Sequence, residues 1–445
     1  MIRSVASPLP PPPPPRLDRL GRDDLRVSFC NAWALNAWLF RGVHDPDAMR
    51  LSPDPLRNPL IFYLGHTAAF YLNKLVAAGV LARGVDERLE RLFARGVDPA
   101  TADELEARAW PALDRVWAWR ADVFELVNGV IERLPIRLPV TDRDPVWALL
   151  MGVEHARIHF ETSSVLIRQA PLRALRAPEG WRCAPSWGRP EAMRRVRIDA
   201  GAVTLGKPSR TPWFGWDNEY GRSERRVGSF EIADRLVANA DYLTFVQEGG
   251  YDRRELWTEE GWRWRVAEGA RRPRFWREIG GEVWLRTVFD ERPLPLDWPA
   301  EVNGLEAAAW CRWAGARLPS EAELALATDD APLTHDDVIE DPAYNLNLRW
   351  QSPRPVGAGV PTPRGLHDAW GNVWQWLSDD FAPLPGFAPH PLYDDFSSPY
   401  FDADHSGLRG GAWATTGTGA SRYYRLWFRR HFYQHAGFRP VWELA

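Results

Sequence analysis

The stretch MGVEHARIHFETSSVL (residues 151–166) places two histidines, His155 and His159, four positions apart inside a long amphipathic helical pattern. Residues four apart share one face of a helix, with Cβ atoms about 5–6 Å apart, so both imidazoles can reach one metal ion. The zinc-protease motif HExxH has this spacing, but Ala156 stands where that motif has its catalytic Glu. The pair alone leaves two interpretations open, a metal site or two packed or solvated histidines, until another ligand is found.

The whole chain has the composition of an ordinary globular protein, with 45% hydrophobic and 26% charged residues among 445. This length predicts two domains. A formal net charge of −4 gives no reason to expect nucleic acid or membrane partners, and no apolar run is long enough to span a bilayer. The start lacks the apolar region of a signal peptide, and the three cysteines are odd in number and far apart. These features predict a cytoplasmic protein without disulfides.

The first part of the chain contains helical patterns joined by segments rich in Pro, Gly and charge. There are four, at residues 23–43, 59–81, 111–134 and 144–169. They predict a four-helix bundle over residues 23–170. Asp144 is expected to cap the fourth helix, with Pro145 at its first position. Residues 1–22, with six consecutive prolines, are predicted to form a disordered tail.

From about residue 200 the pattern changes to short β-like segments between Gly, Pro and Asp turns. Strands are predicted within 201–207, 226–237 and 282–289, and one clear helix over 303–316. The region 200–445 is therefore expected to be a separate domain. Residues 171–199, rich in Arg and Pro, are its expected linker to the bundle. The predicted fold class is α+β.

A third histidine could complete a site with His155 and His159. His66 lies in the second helical pattern, on the same side as Phe62 and Phe70. A histidine on an apolar helical face is usually a packed residue, but metal sites in bundles are built from side chains that project inward from facing helices. Together the three would supply three neutral nitrogen ligands. Because three histidines suit zinc as well as iron, the residues alone leave the metal undecided.

Seven blocks along the chain resemble one known family, the sulfoxide synthases of ovothiol biosynthesis (5-histidylcysteine sulfoxide synthases). The likeness runs from about residue 25 to the C-terminus. The blocks are DPLRNPLIFYLGHTAAFYLNKL (54–75), MGVEHARIHFETSSVLIRQ (151–169), GWDNEYGRSERRV (215–227), EEGWRWR (259–265), GNVWQW (371–376), HPLYDDFSSPYFD (390–402) and FRRHFYQHAGFRP (428–440). The resemblance implies a DinB-like four-helix bundle followed by a domain of the formylglycine-generating-enzyme (sulfatase-modifying-factor) type, which has a C-type-lectin-like fold.

The resemblance also implies an activity. Family iron ligands fall on His66, His155 and His159, and the cofactor would be Fe(2+). The implied reaction uses O2 to join the sulfur of cysteine to the imidazole of histidine as a sulfoxide. Open positions on the metal would hold the reacting groups next to each other. The C-terminal methyltransferase domain of bifunctional members has no counterpart in this sequence, so any methylation is expected to need a separate protein.

Other residues take roles from the same resemblance. Tyr393 is the expected proton donor near bound oxygen, with Tyr400 as the runner-up. Arg429, Arg430 and His431 are the expected ligands of the substrate carboxylates, although some of them are expected to be structural. Without the family, each tyrosine would read as an ordinary packed residue.

Two sequence departures separate the chain from family patterns. Ala156 and Asn58 stand where members commonly have Glu and His. Because neither is a proposed ligand, we expect these differences to modify the activity rather than abolish it. The nearest alternative is an ergothioneine- or selenoneine-type enzyme that uses trimethylhistidine (hercynine). The Asp and Arg that bind γ-glutamylcysteine in that branch are replaced by Trp427 and His431, which favours free cysteine. Further alternatives are a non-catalytic lectin-like binding protein and a zinc-dependent thiol transferase.

Overall fold

The protein is described by a computed structural model that covers residues 10–94, 109–331 and 343–444. The chain folds into two compact units. The first contains residues 1–181 with the short segments 212–214 and 288–290, and the second contains the remainder. Each unit is described by itself below.

The first unit is helical, and the predicted bundle of four long helices is confirmed. A short additional helix, α3, was not predicted, because six residues carry too little periodicity to be recognised. The helices are α1 (Arg22–Arg41), α2 (Leu60–Ala77), α3 (Glu87–Leu92), α4 (Leu113–Arg133) and α5 (Trp147–Gln169).

The helices α2 and α5 form the inner pair of this unit. Both are buried along most of their length, whereas α1 and α4 bury one face each and expose the other. Helix α5 packs against both α1 and α2. Any polar side chain on the inner pair therefore needs a partner inside the protein. This requirement makes the buried polar residues of α2 and α5 informative about function.

The predicted cap of the fourth helix is wrong. Helix α5 begins at Trp147, three residues after Asp144. The Asp144 carboxylate instead accepts hydrogen bonds from the backbone N–H and the hydroxyl of Thr141, both at 2.7 Å. The residue thus closes the turn before the helix, a competing use of short acidic side chains.

The N-terminal segment differs from the prediction of a disordered tail in the part that the structure describes. From residue 10 onward it packs on the first unit, where the Leu17 N–H donates to the Pro212 carbonyl and the Leu17 carbonyl accepts from Val140. Leu17 and Leu20 are both buried. These two apolar side chains anchor a segment whose proline content suggested a free spacer. Residues 1–9 lie outside the described residues.

The second unit mixes strands with short helices, so the predicted α+β class is confirmed. The strands are β1 (Arg195–Ile198), β2 (Gly201–Leu205), β3 (Ser223–Val227), β4 (Phe230–Ala233), β5 (Trp276–Ile279), β6 (Glu282–Arg286), β7 (Glu291–Pro293), β8 (Trp374–Asp380), β9 (His405–Arg409), β10 (Leu426–Arg429), β11 (Ala436–Gly437) and β12 (Val441–Glu443). The largest sheet has four strands in the order β10-β9-β8-β11, and three smaller sheets have the orders β1-β4-β12, β2-β3 and β5-β6-β7.

The helices of the second unit are more numerous than predicted. The predicted helix is present as α8, where Asn303 and Glu306 form a capping box. Three others were missed because they are short, and α7 (EEGWRWRVAE) has only one fully buried residue, Gly261. They are α6 (Asn239–Gln247), α7 (Glu259–Glu268) and α9 (Glu321–Ala327), with α8 at Gly304–Trp313. Among the described residues no helix is long and apolar enough to cross a membrane.

Candidate metal centre

Three histidines, of which two are buried and His159 is half-buried, converge between α2 and α5 of the helical unit. His66 projects from α2, and His155 and His159 leave α5 one turn apart. The ring centroid of His66 lies 4.9 Å from that of His155 and 4.7 Å from that of His159, and the α5 pair is 4.3 Å apart. The sequence-predicted ligand set is thus brought together at one place.

The geometry of these rings fits a metal ion. One nitrogen from each of the three rings can be chosen so that all three lie within 4.8 Å of one another. A protein nitrogen binds a transition metal at about 2.0–2.1 Å, so ligand atoms around one ion are a few ångströms apart. In the part of the chain that the structure describes, no other group of three such side chains converges, and no carboxylate belongs to this one.

A backbone carbonyl orients His66. The Nδ1 atom of His66 lies 2.7 Å from the carbonyl oxygen of Phe93, and because a carbonyl can only accept, Nδ1 carries the proton. This leaves the lone pair of Nε2 for a metal, the arrangement by which outer partners usually fix a ligating histidine. Nε2 of His66 and Nδ1 of His159 are buried and have no hydrogen-bond partner among the described residues. Buried polar atoms rarely stay unsatisfied, so both fit a site built to bind an ion.

The electrostatic environment keeps these imidazoles neutral. Burial lowers the pKa of His66 to about 4. Burial, reinforced by the neighbouring imidazoles, also holds the pKa values of His155 and His159 well below the usual range. A histidine must be neutral to donate a lone pair to a metal, so the site is ready to bind at physiological pH without releasing protons.

The carbonyl of Phe93 is brought to the site by α3 and by a glycine of α2. The Asp86 side chain caps α3 by accepting from the N–H groups of Arg88 and Leu89. The Phe93 ring then lies directly on Gly65, where an added Cβ would be 2.5 Å from the ring. Sequence reasoning missed Phe93, because a backbone acceptor leaves no residue signature. A glycine inside the helical pattern, next to His66, was the available signal of a close approach.

Aromatic rings pack against the histidines. Phe62 stacks on His66 with centroids 5.0 Å apart, and Phe70 stacks on His155 at 3.5 Å with the rings 8° from parallel. Both phenylalanines lie one turn of α2 from His66, as the sequence pattern predicted. Stacking restricts ring rotation and surrounds the nitrogen atoms with apolar surface, which strengthens electrostatic interactions at the site.

Tyr393, the predicted proton donor, lies in the second unit in an aromatic setting. Its ring is 5.3 Å from that of Phe396 and 6.3 Å from that of Trp216. Burial raises the pKa of the Tyr393 hydroxyl well above its usual range.

The next residue after Trp216, Asp217, is buried and accepts a 2.5 Å hydrogen bond from the Ser397 hydroxyl. Burial raises the pKa of Asp217 to about 6.

The runner-up, Tyr400, belongs to the same unit but has different neighbours. Its ring centroid is 5.1 Å from His405 and 5.5 Å from Trp427. Trp427 in turn packs against Phe396, with centroids 5.1 Å apart. The two tyrosines therefore contact one continuous aromatic cluster through different members.

The predicted carboxylate-binding residues follow or end strand β10. Arg429 lies with its guanidinium carbon 5.6 Å from the Phe432 ring, and the His431 ring is 4.8 Å from the same phenylalanine. Arg430 bonds the Asp380 carboxylate and the Ala403 carbonyl, and it also lies 3.6 Å from Glu260. Arg430 is thus held in place by two acidic side chains and a backbone carbonyl.

Comparison with known proteins identifies both units. Residues 29–163 match the DinB superfamily, and residues 184–444 match the sulfatase-modifying factor enzyme 1-like domain. The chain is 31% identical over 421 residues to a hercynine oxygenase of Mycolicibacterium thermoresistibile, covering 90% of this chain and 91% of that protein. It is 29% identical to a hercynine oxygenase of Mycobacterium tuberculosis, covering 88% and 92%. It is 26% identical to ergothioneine biosynthesis protein 1 of Schizosaccharomyces pombe, covering 91% of this chain and 54% of that protein.

The chain joins a DinB-type helical unit, which holds the three converging histidines, to a sulfatase-modifying-factor-like unit. The similarity to the mycobacterial proteins extends over nine-tenths of both chains, so it includes both units. The chain belongs to the family of the hercynine oxygenases.

Proposed function

We propose that this protein is an Fe(II)-dependent sulfoxide synthase that joins the sulfur of cysteine to the imidazole of histidine. The observation that carries the proposal is the neutral three-histidine cluster in a chain of the hercynine oxygenase family. In the balanced reaction one C–H and one S–H bond are broken, a C–S bond forms, and O2 accepts four electrons. One oxygen atom remains on sulfur and the other leaves as water.

The chain's own residues have separable roles in this proposal. His66, His155 and His159 would hold the iron, which when bound supplies electrons to O2 and open positions for substrates. The Phe93 carbonyl holds the His66 ring through Nδ1, so that the lone pair of Nε2 would be available to the ion. The stacked Phe62 and Phe70 rings limit the access of water to the nitrogen atoms.

Tyr393 is proposed as the proton donor on the strength of the family resemblance, since a tyrosine hydroxyl is protonated at neutral pH. Tyr393→Phe is expected to lower sulfoxide formation about 100-fold or more, the usual contribution of a positioned acid. The measurement is single-turnover product formation with iron content held equal. Tyr400→Phe is the matched control and is expected to keep near-normal rates. If Tyr400→Phe alone lost activity, the donor would be reassigned to Tyr400.

The proposed binding of substrate carboxylates is assigned to Arg429 and His431, and a structural role is assigned to Arg430, which bonds Asp380. An arginine offers a bidentate fork to a carboxylate. Arg429→Gln is therefore expected to raise the KM for an amino-acid substrate more than Arg430→Gln does. The opposite order of effects would exchange the roles of the two arginines.

A second candidate is a synthase that uses trimethylhistidine, and the names of the relatives favour it. The mycobacterial relatives are hercynine oxygenases, and the yeast relative is an ergothioneine biosynthesis protein. The resemblance in seven sequence blocks supports histidine instead. Neither the bundle nor the histidine cluster distinguishes the two acceptors, because both carry the same imidazole.

One assay separates the candidates. The purified, Fe(II)-loaded chain is supplied with O2, cysteine and either histidine or trimethylhistidine. The molecular mass of the product is then measured by mass spectrometry. Turnover of histidine to a product of coupled mass plus one oxygen supports the proposal. Turnover of trimethylhistidine alone assigns the second candidate. Absence of iron binding, or O2 consumption independent of both substrates, would exclude a sulfoxide synthase and leave a binding protein or zinc enzyme.

A further inference from the structure

A second buried polar group in the helical unit has no role in the proposed reaction. Arg120 of α4 is 1% exposed, and in the described part of the chain no carboxylate lies within ion-pairing distance of it. Its pKa is lowered to about 9, mainly by burial, so the guanidinium remains positively charged at neutral pH. A buried charge without a counter-charge is costly, and such charges in proteins are normally paired.

The hydrogen bonds of Arg120 satisfy only one of its three nitrogen atoms. Nη1 donates to the Leu64 carbonyl and, at 2.9 Å, to the Thr67 hydroxyl, both on α2. Nε and Nη2 are buried and have no acceptor among the described residues. The indole of Trp33 lies 4.4 Å below the guanidinium carbon and offers a cation–π contact, which leaves the in-plane N–H groups without acceptors.

Two further side chains near Arg120 carry buried polar atoms that can donate. The Thr67 hydroxyl lies 3.4 Å from Oδ1 of Asn36, which leaves the Asn36 Nδ2 atom without a partner in the described structure. The hydroxyl of Tyr71, one turn after Thr67 on α2, is likewise buried and unpartnered there. The Tyr71 ring contacts Trp33, with centroids 6.1 Å apart, which links it to the Arg120 site.

We propose that Arg120, Asn36 and Tyr71 form a binding site for a small monovalent anion, of which chloride is the physiological example. The unsatisfied atoms are donors, carried by one cationic and two neutral side chains, and a halide accepts from several donors at once. Water is less suited, because it would need acceptors for its own two protons, and of the unsatisfied atoms only the Tyr71 hydroxyl oxygen can accept. The three side chains are at most 1% exposed, so the enclosure favours a monatomic ion over a larger anion.

This anion would be a structural ligand of the bundle. It would neutralise the Arg120 charge and satisfy donors from α1, α2 and α4 together, and so hold three helices in one arrangement. The site is separate from the histidine nitrogens, although Thr67 follows His66 in α2. Its test therefore uses stability rather than oxygenase activity, and the result is independent of the proposed function.

The experiment measures urea unfolding of the full chain at constant ionic strength while sodium chloride replaces sodium gluconate. One-site linkage predicts that the unfolding equilibrium constant falls about tenfold for each tenfold rise in chloride above its Kd. Arg120→Met is expected to abolish this dependence. Arg133→Met, which removes an exposed arginine of the same helix, is expected to keep it.

A second variant and a direct observation test the proposal even if the Arg120→Met protein does not fold. Tyr71→Phe removes one donor and is expected to weaken chloride binding about 5- to 10-fold without loss of the fold. Crystals soaked in bromide should show an anomalous peak in contact with Nε or Nη2 of Arg120. Equal stability in chloride and gluconate, the same chloride dependence in Arg120→Met, or a water at that position in place of bromide would each overturn the proposal.

Discussion

Replacing His159 by glutamine is expected to lower iron affinity by well over 100-fold and to abolish sulfoxide formation, while the chain stays folded. The loss of a direct ligand should exceed the 10- to 100-fold effect that is typical of an outer partner. Glutamine keeps a polar side chain of similar volume at a half-buried position. His66→Ala should have the same effect on iron, because Nε2 of His66 is one of the buried atoms without another partner among the described residues. Iron is measured by equilibrium titration and by metal analysis after desalting.

The matched control is His44→Ala, which removes an exposed histidine of the same helical unit. It is expected to leave iron content, unfolding midpoint and product formation unchanged. Full iron occupancy in both His66→Ala and His159→Gln would contradict the assignment of the site. Retained turnover without iron would contradict the proposed reaction class as well.

The sequence predicted the ligand set because helical periodicity carries geometric information. The i, i+4 spacing of His155 and His159 fixes a shared face whatever the surrounding fold, and α5 provides it. His66 was found because it lies on the apolar face of a second predicted bundle helix, where it could project inward towards the His155 and His159 pair. These inferences need only the regular geometry of helices, and the structure brings the three rings within 5 Å of one another.

What the sequence did not predict depends on contacts between distant segments. The Phe93 carbonyl is a backbone atom, and any residue could supply it. Arg120 stands in the stretch WAWRADV, where an arginine between apolar residues looks like an ordinary boundary position. Its burial follows from how α1, α2 and α4 pack. Asp144 illustrates a local competition, since its carboxylate closes a turn with Thr141 in place of the helix cap.

In the second unit, too, some elements could be predicted from the sequence pattern and others could not. Strands were predicted within 201–207 and 282–289 from short β-like segments between turns, and the structure has β2 and β6 there. Helix α7 lacks an apolar face, so periodicity could not reveal it. Its start is instead specified locally, by a Thr258 hydroxyl that accepts from the Gly261 N–H. Short elements of this kind are recognised by caps rather than by hydrophobic pattern.

Among residues outside the three histidines, Gly65→Ala is expected to have the largest effect on iron affinity. A Cβ at this position would lie 2.5 Å from the Phe93 ring, closer than such atoms can approach. The Phe93 ring must move, and its carbonyl moves with it, so His66 loses the acceptor that fixes its Nδ1 proton. We expect an overpacking cost of about 1–3 kcal/mol in the free energy of unfolding. Iron affinity should fall roughly 10- to 100-fold, as for other lost outer partners.

Gly129→Ala provides the matched control, because it also places a methyl group on a glycine inside a helix. Its Cβ would meet only the flexible end of Arg133, at 3.1 Å, so the substitution should raise stability by up to about 1 kcal/mol through helix propensity. The comparison isolates the contact with Phe93 from the general effect of alanine in a helix. If Gly65→Ala bound iron as tightly as Gly129→Ala, the Phe93 carbonyl would have no part in positioning His66. A loss of stability with unchanged iron affinity would assign the Gly65–Phe93 contact to packing alone.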